Sequence, residues 1–529
     1  MTQVDTPVGH PFASGDTFWA LLEDRVRLSP DHPMLLDEHD RSVTFQEFRD
    51  WAERVAAGLH QLGIAEGAVV SWQLPTRIET IVFSMALSRL GAVQNPVIAL
   101  YREREVGALL RTTSARWFAV PGEWKGFDYA RMAAALVGQL DQRCDVLDLS
   151  GPLPEGDRAL LPAPPTDGHL IRWMYATSGT TSEPKAVRHT DASLIAGGIG
   201  IATSQRFTPD DIGTIPFPYA HIGGPDNLVM QLRLGFPALL MEAFVPAAAV
   251  ELMRHHGVTT LGGSTAHYLA LLQEQRRTPG VPILPSMRVL VGGGAPKPPE
   301  LLWQAKHELG VRIHHGYGMT ECPMIACCGP DDSDEELADT DGRPVVGCEV
   351  RILDDHDVAV TAGIDGEIVV RGPMLTVGYT DAAANAEAFL ADGFFRTGDR
   401  GHLRESGHLV ITGRTKELII RKGENIAPRE IEDVLTTHPS IGAVAVIGLP
   451  DAARGERICA VIELRPDAVA PTLADIRELC RVAGLMVQKT PEQIEIVDAL
   501  PRNPTMKVLK RELVTRFDQG SSGRSRSIS

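Results

Sequence analysis

Apolar residues recur along the early part of the chain with the periods of helices and of buried strands. Residues 16–30 and 44–64 each carry an apolar face at helical spacing, which predicts two amphipathic helices. The run 68–74 is apolar enough for a buried strand, and residues 79–92 predict another helix. Strands that alternate with helices are typical of layered α/β domains with largely parallel sheets. We therefore predict an α/β fold.

The pattern changes near residue 413. From there it indicates strand, turn, strand, charged loop and helix, and then two apolar strands, a helix around 472–483 and a last strand within 493–500. This segment of about a hundred residues has its own alternating elements, which is enough for a small α+β domain. The final residues, 518–529, are rich in Ser, Gly and Arg, which predicts disorder.

Composition and charge narrow the class of partner. At 529 residues, 43% hydrophobic and 22% charged, the chain is of ordinary globular composition, with room for roughly two to four domains. The formal charge of −17 disfavours nucleic acid and anionic membranes as partners. A polyanionic small ligand would therefore need positive charge that is supplied locally.

Cysteine usage and the apolar runs bear on the compartment. There are 7 cysteines and no CxxC pair, which predicts neither a zinc site nor a disulfide framework. Arg25 is the first lysine or arginine, and no apolar run approaches the length of a membrane span. We expect a cytoplasmic protein with no secretory leader and no integral membrane segment.

The stretch YATSGTTSEPKAV (175–187) gathers hydroxyls, backbone N–H groups and Lys185 directly after an apolar, strand-like segment. Such a nest of donors suits a polyphosphate. It is not a Walker A loop, because Pro184 stands where the second glycine should be. A Rossmann interpretation of GGIGIA (197–202) is weaker, since no strand precedes it. Taken alone, this stretch is as compatible with an ordinary surface loop as with a phosphate-binding loop.

Further segments extend the pattern to a nucleotide. VGGGAP (291–296) would bring bare backbone close to a flat ligand such as a purine. GYGMTE (316–321) offers the ring of Tyr317, the hydroxyl of Thr320 and the carboxylate of Glu321, and a carboxylate is a hard oxygen ligand that suits Mg²⁺. A stacked base and a magnesium–phosphate complex are therefore expected here.

Three more motifs supply polar and charged groups. FFRTGD ends in Asp399, which is suited to accept hydrogen bonds from ribose hydroxyls, and GRTKELIIRKGE supplies Arg414 for ribose or phosphate. PRNPTMKVLKREL places Lys507 on a proline-bounded loop. Each segment alone could be a turn or a solvated charge, but their joint occurrence in this order indicates a nucleotide site.

With these motifs the chain resembles the acyl-adenylate-forming superfamily of acyl-CoA synthetases, luciferases and peptide-synthetase adenylation domains, from about residue 15 to 515. The resemblance implies a large N-terminal domain of stacked α/β layers with a small mobile C-terminal α+β domain. The boundaries we predict are an N-terminal ATP- and acyl-binding domain at 1–413, a hinge at 414–416, a lid at 417–515 and a disordered tail at 516–529.

The resemblance also implies roles for residues that match the family's motifs. Lys507, Glu321, Thr320 and His221 are expected to be catalytic, with Glu321 also the metal ligand, and Lys416 is the expected hinge residue. The acyl pocket is expected to include His221, Gly223, Gly224 and Gly263. The expected cofactor contacts are Thr177, Ser178, Gly179, Thr180, Thr181, Lys185, Gly293, Gly294, Ala295, Pro296, Gly316, Tyr317, Gly318, Met319, Asp399, Arg414, Lys422 and Gly423, the last two for coenzyme A. A solvated lysine is an equal alternative for Lys422.

Three departures from the family pattern concern the loops. Ser182 and Glu183 stand where a glycine and a variable residue are usual, and Ala186 replaces the glycine that commonly follows the lysine. Met506 replaces a glycine before Lys507, which would cost about 1 kcal/mol or more if that backbone needs a positive φ. The path of these loops therefore stays open.

The implied activity is that of an AMP-forming acyl-CoA ligase with ATP, Mg²⁺ and coenzyme A as co-substrate, closest in appearance to medium-chain or cyclohexanecarboxylate–CoA ligases. The substrate is expected to be a small-molecule carboxylic acid whose acyl group is medium-chain, alicyclic or aromatic. The many small residues in the predicted pocket walls have two equal interpretations. They could leave room for a bulky or ring-bearing acyl group, or they could simply form tight turns. The first wall lacks the acidic residue, in a Phe-Asp pattern, that amino-acid-activating domains use.

Two alternatives to this activity are an acyl-AMP ligase that loads a carrier protein and a non-catalytic ATP-binding relative. A homodimer is left open.

Overall fold

The computed structural model describes residues 16–177, 185–414, 417–421, 424–451, 455–485, 487–503 and 507–518. The predicted helices and strands of the early chain are confirmed. Thr17 caps the first helix through its hydroxyl, Thr44 caps the second in a reciprocal arrangement with Glu47, and Gly91 ends the third in the left-handed conformation.

The helices in the described ranges, and the strands, are as follows. The helices are α1 (Phe18–Leu28), α2 (Phe45–Gln61), α3 (Ile78–Leu90), α4 (Glu103–Thr112), α5 (Tyr129–Val137), α6 (Asp191–Ser204), α7 (Gly223–Leu234), α8 (Pro246–His255), α9 (Thr265–Arg277), α10 (Pro299–Gln304), α11 (Asp334–Asp339), α12 (Ala382–Ala388), α13 (Pro428–Leu435), α14 (Leu473–Val482) and α15 (Lys510–Asp518). The strands are β1 (Pro33–Leu36), β2 (Ser42–Thr44), β3 (Val69–Trp72), β4 (Val93–Pro96), β5 (Trp117–Val120), β6 (Glu123–Trp124), β7 (Phe127–Asp128), β8 (Asp145–Asp148), β9 (Ile171–Thr177), β10 (Lys185–Thr190), β11 (Gly213–Ile215), β12 (Ala238–Leu240), β13 (Thr260–Gly263), β14 (Val289–Gly293), β15 (Arg312–Met319), β16 (Cys322–Cys327), β17 (Arg343–Pro344), β18 (Glu349–Leu353), β19 (Gly366–Arg371), β20 (Phe395–Leu403), β21 (Leu409–Arg414), β22 (Ile419–Arg421), β23 (Glu424–Ile426), β24 (Ile441–Asp451), β25 (Gly455–Leu464) and β26 (Gln493–Val497).

Three sheets of the N-terminal part carry the layers that the alternation predicts. Their strand orders are β10-β9-β4-β3-β5-β8, β13-β14-β15-β16-β17 and β11-β12-β1-β2. Interior pairs such as β3 with β4 and β14 with β15 are parallel, because a helix connects one strand to the next. Antiparallel strands occur at one edge of each sheet.

A fourth sheet corrects the prediction of largely parallel strands. β18, β19, β20 and β21 pair in that order and are antiparallel throughout. The turn between β20 and β21 covers only residues 404–408, which is too short for a parallel crossover. This sheet carries Asp399 and Arg414 directly opposite each other.

The C-terminal part has a sheet and cores of its own. Its strands order as β23-β22-β25-β24, with β26 parallel to β25. Val446 and Ile447 are neighbours on β24 and pack into two different apolar clusters, one on each face of the sheet. The helix α15 extends through Asp518, three residues beyond the predicted end of the lid at 515. The other domain boundaries remain predictions.

None of the helices in the described parts of the chain combines the length and the apolar character that crossing a bilayer requires.

Candidate active site

A short hairpin presents the two most polar residues of the GYGMTE motif. β15 and β16 pair antiparallel with Met319 opposite Cys322, which leaves Thr320 and Glu321 at the tip. His189 contacts this tip: its Nε2 lies 2.8 Å from the carbonyl oxygen of Thr320. Burial lowers the pKa of His189 to about 4, so the ring is neutral and Nε2 donates to the carbonyl.

Glu321 is buried at the wall of a large cavity. Its Oε1 accepts a hydrogen bond from the hydroxyl of Tyr379 at 2.8 Å. Burial raises the pKa of Glu321, and the bond from Tyr379 opposes that shift. The Nζ atom of Lys185, the first residue of β10, lies 5.6 Å from the centre of the Tyr379 ring. A carboxylate, a phenol and an ammonium therefore meet on one side of the cavity.

A second polar group joins the GYGMTE and RTGD motifs. The hydroxyl of Tyr317 donates to Oδ2 of Asp399 at 2.5 Å, and Nε of Arg414 lies 2.8 Å from Oδ1. Tyr317 and Asp399 are 8% and 3% exposed, so they stand behind the cavity wall, whereas Arg414 lines it. The structure therefore brings together three residues that lie far apart in sequence.

Glycines form a ledge in the cavity wall. Gly293, at the end of β14, pairs with Gly316 of β15, and a Cβ atom at Gly293 would overlap the carbonyl oxygen of Gly316. Gly294 follows with a φ of +82°. Both glycines line the cavity with Gly318 and Met319. Bare backbone therefore faces the cavity, as the sequence predicts.

Lys507 reaches this cavity from the lid. Its N–H donates to Oδ1 of Asn503, and the N–H of Asn503 donates to its carbonyl oxygen, each at 2.8 Å. Burial lowers the pKa of Lys507, and the positive charge of Arg414 lowers it further, while Glu417 and Asp399 act in the opposite direction. The lysine therefore lies within electrostatic range of the group around Asp399.

The cavity has a volume of about 1450 Å³ and runs between the two parts of the chain. One end is apolar and is formed by residues of α6, α7, β14 and β16 and by two phenylalanines: Ile201, Phe207, Met230, Phe236, Val291, Met324 and Cys327. His221, Gly223 and Gly263 also line the cavity. The Nδ1 of His221 accepts from the N–H of Gly223 at 3.3 Å, and burial lowers the pKa of His221 to about 4.

Some predicted residues stand elsewhere. Gly224 is not part of the described cavity wall, because a Cβ atom there would overlap the carbonyl oxygen of Tyr219, and the glycine serves the start of α7. Ala295 and Pro296 also lie off the wall, and their carbonyl oxygens accept hydrogen bonds from the Thr265 hydroxyl at 3.4 and 3.0 Å.

Several predicted residues lie outside the described residues. These are Ser178, Gly179, Thr180, Thr181, Ser182, Glu183, Lys416, Lys422, Gly423 and Met506. Thr177 is described only as the last residue of β9, where its backbone pairs with that of Lys185.

Two residues of the site are not among the predictions. His189 follows the phosphate motif closely and could have been singled out as a polar residue on the next strand. Tyr379 has no such signal, because it comes from a distant segment that runs beside β10: the N–H of Thr380 donates to the carbonyl oxygen of Ala186 at 3.0 Å. Ala186 is fully buried at this contact.

Comparison with known proteins decides the family. A model of the AMP-binding enzyme family matches residues 22–380, and a model of the AMP-binding enzyme C-terminal domain matches residues 430–507. The chain belongs to the adenylate-forming AMP-binding enzymes. The family and the fold class that the motifs predict are thereby confirmed, and acid activation through an adenylate is the activity of this family.

Three relatives of this AMP-binding enzyme span nearly its whole length. It is 33% identical over 525 residues to the salicyl-AMP ligase / salicyl-S-ArCP synthetase of Mycobacterium tuberculosis, covering 95% of this chain and 91% of that protein. It is 28% identical over 524 residues to the medium-chain fatty-acid–CoA ligase of Escherichia coli, covering 96% and 92%.

The third relative is a solved structure, that of O-succinylbenzoate coenzyme A synthetase from Bacillus subtilis in complex with ATP and a magnesium ion. It has a TM-score of 0.81 at 27% identity, and the match covers 93% of this chain and 98% of that one. The names of the three relatives divide between ligases of coenzyme A and an AMP ligase, so the family alone leaves the acceptor open.

Proposed function

We propose that this enzyme activates a medium-chain, alicyclic or aromatic carboxylic acid as its acyl-adenylate and transfers the acyl group to coenzyme A. The observation that carries the proposal is the shared cavity. Lys507 of the lid, Glu321 and Arg414 face one space that continues into an apolar end. The first reaction needs a nucleotide and an acid side by side. A cavity with a charged half for the nucleotide and an apolar half for the acyl group meets this need.

In the first step the carboxylate oxygen of the acid attacks the α-phosphorus of the substrate ATP. The bond between that phosphorus and the bridging oxygen breaks, and pyrophosphate leaves with the electron pair. Lys507 would neutralise charge on the attacking carboxylate and the α-phosphate, and Lys185 would hold the leaving phosphates. Catalysis of this kind rests on positioning and on charge stabilisation.

Glu321 fits the role of a magnesium ligand, because it offers a carboxylate oxygen at the cavity wall close to Lys185 and Thr320. When bound, the ion would supply positive charge against the phosphates. The hydroxyl of Tyr379 holds Oε1 in place and favours the ionised carboxylate. Arg414 would bind the ribose, with Asp399 and Tyr317 holding its side chain in place from behind the cavity wall. The glycine ledge would contact the adenine, and His221 would orient the acyl carboxylate.

In the second step the thiol sulfur attacks the carbonyl carbon of the adenylate and AMP leaves. Lys507 occupies the cavity in the structure, so a rotation of the lid about residues 414–416 would withdraw it and admit the thiol. We propose Lys416 as the pivot, and Lys422 and Gly423 as contacts of coenzyme A.

A carrier-protein acceptor is the second candidate, and the salicyl-AMP ligase relative favours it. The apolar cavity end is compatible with either acceptor. An assay of acid-dependent AMP release separates the two: a panel of medium-chain, alicyclic and aromatic acids is incubated with ATP and Mg²⁺, and with either coenzyme A or a phosphopantetheinylated carrier domain. The proposal expects AMP and thioester in equal amounts with coenzyme A. AMP release only with the carrier domain would favour the second candidate, and no acid-dependent pyrophosphate at all would contradict both.

A further inference from the structure

One stripe of α7 faces the cavity. Gly223, Asp226, Asn227 and Met230 recur at the spacing of one helical face, and all four line the cavity. Asp226 lies one turn beyond Gly223, or about 5 Å further along the helix. The stripe therefore leads from the predicted acyl wall towards the apolar end, with a carboxyl group between Gly223 and Met230.

Asp226 is 2% exposed, and no donor among the described residues reaches its Oδ1. The hydroxyl of Tyr175 and the thiol of Cys322 are within electrostatic range of the carboxyl group, but neither is hydrogen-bonded to it in the described structure. The neighbours on its other side are apolar or bare backbone. A Cβ atom built at Gly197 of α6 would lie 3.1 Å from both Oδ1 and the Cβ of Pro323.

An isolated carboxyl group in such a place is costly. A buried polar group without a hydrogen-bond partner destabilises a fold by about 1–3 kcal/mol. Burial raises the pKa of Asp226 well above its ordinary value, which favours the neutral carboxyl group. The usual remedy for an orphaned polar group is a partner, and Asp226 is one of the residues that line the cavity that the acyl group would occupy.

We propose that the acyl group of the natural substrate carries a hydrogen-bond donor, a hydroxyl or an amine on its chain or ring, that binds the carboxyl group of Asp226. The proposal rests on the proposed function, since it assumes that the apolar end receives the acyl group. Asp226 is then a specificity residue: it accepts the donor of the substrate, and its carboxyl group is left unpaired when an unsubstituted acid is bound.

The test compares acids in matched sets that share one skeleton, such as cyclohexanecarboxylate, benzoate and octanoate, each with and without a hydroxyl or amino group at positions towards the far end. The readout is the kcat/KM of acid-dependent pyrophosphate–ATP exchange. We expect one hydroxylated or aminated member to exceed its unsubstituted parent by about five- to 150-fold, because an unpaired buried partner costs about 1–3 kcal/mol. Which donor wins identifies the substituent.

Asp226→Leu should remove most of this preference and should raise the activity on the unsubstituted acid. Asp226→Asn keeps a carbonyl oxygen that accepts a hydrogen bond, so it should retain most of the preference. Gln231→Leu is the matched control. Gln231 is on the same helix, is 1% exposed and has an orphaned Oε1, but it is not among the residues that line the cavity. Its replacement should leave the ratio unchanged.

The proposal is overturned if wild type prefers the unsubstituted parent in every set, or if the ratio in Asp226→Leu stays the same as in wild type while exchange is retained. A melting curve for each variant separates loss of fold from loss of selectivity, and the ratio within one preparation is independent of the folded fraction. Failure of the proposed function has a different signature, which is the absence of exchange with any acid in wild type.

Discussion

Among single residues, Lys507 carries the most specific expectation, because it is the one lid lysine that the family motif assigns to the first step. Lys507→Ala should reduce adenylation by about 3 kcal/mol, or roughly a hundredfold, the size of losing one preorganised charged donor. Thioester formation from supplied acyl-AMP should stay within a few-fold of wild type.

The two half-reactions of this variant are measured separately on one preparation, with Lys489→Ala as the control. Lys489 is also a lid lysine, but it forms a surface ion pair with Glu430. Equal loss of both half-reactions in Lys507→Ala would contradict the assignment.

If Glu321 binds the magnesium ion as proposed, we expect Glu321 and Tyr379 to make the first step depend on pH. Burial raises the pKa of Glu321, and the hydroxyl of Tyr379 lowers it. A carboxylate with a raised pKa becomes protonated as the pH falls through that value, and it then no longer binds a cation. Tyr379→Phe should therefore move the acid limb of pyrophosphate–ATP exchange to higher pH and raise the Mg²⁺ concentration that gives half-maximal exchange.

The Tyr379→Phe variant is measured as a pH profile at several Mg²⁺ concentrations. Exchange at alkaline pH and saturating Mg²⁺ should recover to within a few-fold of wild type. Glu321→Gln, by contrast, should lose most of the metal-dependent activity at every pH. If the acid limb of Tyr379→Phe stays where it is in wild type, Glu321 is not the titrating group.

Gly223 and Gly224 form a matched pair with opposite expectations. A Cβ atom at Gly223 would meet the Phe217 ring at 3.5 Å, an ordinary contact, and Gly223 lines the cavity. Gly223→Ala should therefore lower kcat/KM for bulky acids more than for propionate. Gly224→Ala should instead destabilise the fold by about 1–3 kcal/mol and lower activity on all acids alike. Melting curves and an acid series distinguish the two, and a selective effect at Gly224 would contradict the geometry.

At the scale of elements, the helix α13 connects the lid to the N-terminal part. The guanidinium of Arg429 lies 3.7 Å from Oδ2 of Asp341, which is 3% exposed and also accepts from the N–H of Ile411 at 3.0 Å. Arg429→Ala should weaken this lid position by about 1–2 kcal/mol. Because Lys507 lies in the cavity in this position, we expect adenylation to slow by roughly five- to thirtyfold.

Thioester formation from supplied acyl-AMP should be unchanged or faster in Arg429→Ala. Arg481→Ala is the control, since it removes the same charge from an exposed pair with Glu478 on the lid surface. Parallel loss of both half-reactions in Arg429→Ala, with none in the control, would indicate that the pair stabilises the lid itself rather than its position.

Elements with local signals could be predicted from the sequence. The helical period places α1, α2 and α3, and the apolar run before the polar cluster of the phosphate motif places β9. Contacts that depend on tertiary packing could not be predicted. The hydrogen bond from Tyr379 to Glu321 joins segments that are 58 residues apart, and no pattern in either segment predicts it.

The acyl pocket shows the same limit on a smaller scale. The glycines of FPYAHIGGPDN predict a tight wall, but only the packing of α7 shows that Gly223 faces the cavity and Gly224 faces Tyr219. The helical period from Gly223 would have singled out Asp226, and it was available in the sequence. The antiparallel sheet of β18–β21 was missed because alternation of strands and helices describes only the earlier sheets.

At the scale of the whole molecule, the two steps of the proposed reaction need two different positions of the lid. Lys416 lies outside the described residues, between Arg414 and Glu417, which both line the cavity. Proline fixes φ near about −65° and removes the freedom that a pivot needs. Lys416→Pro should therefore keep acid-dependent pyrophosphate–ATP exchange and lower thioester formation at least about tenfold. If Lys416→Pro lowers exchange and thioester formation alike and also lowers the Tm, the assignment of Lys416 as the hinge is wrong.

The most direct test of acid activation through an adenylate follows the oxygen atoms. The preferred acid, labelled with oxygen-18 in both carboxylate positions, is converted with ATP, Mg²⁺ and coenzyme A, and the products are analysed by mass spectrometry. The carboxylate oxygen that attacks the α-phosphorus must leave with AMP, so we predict one oxygen-18 in each AMP, one in each thioester and none in pyrophosphate. Label in inorganic phosphate, or AMP without label, would contradict the account.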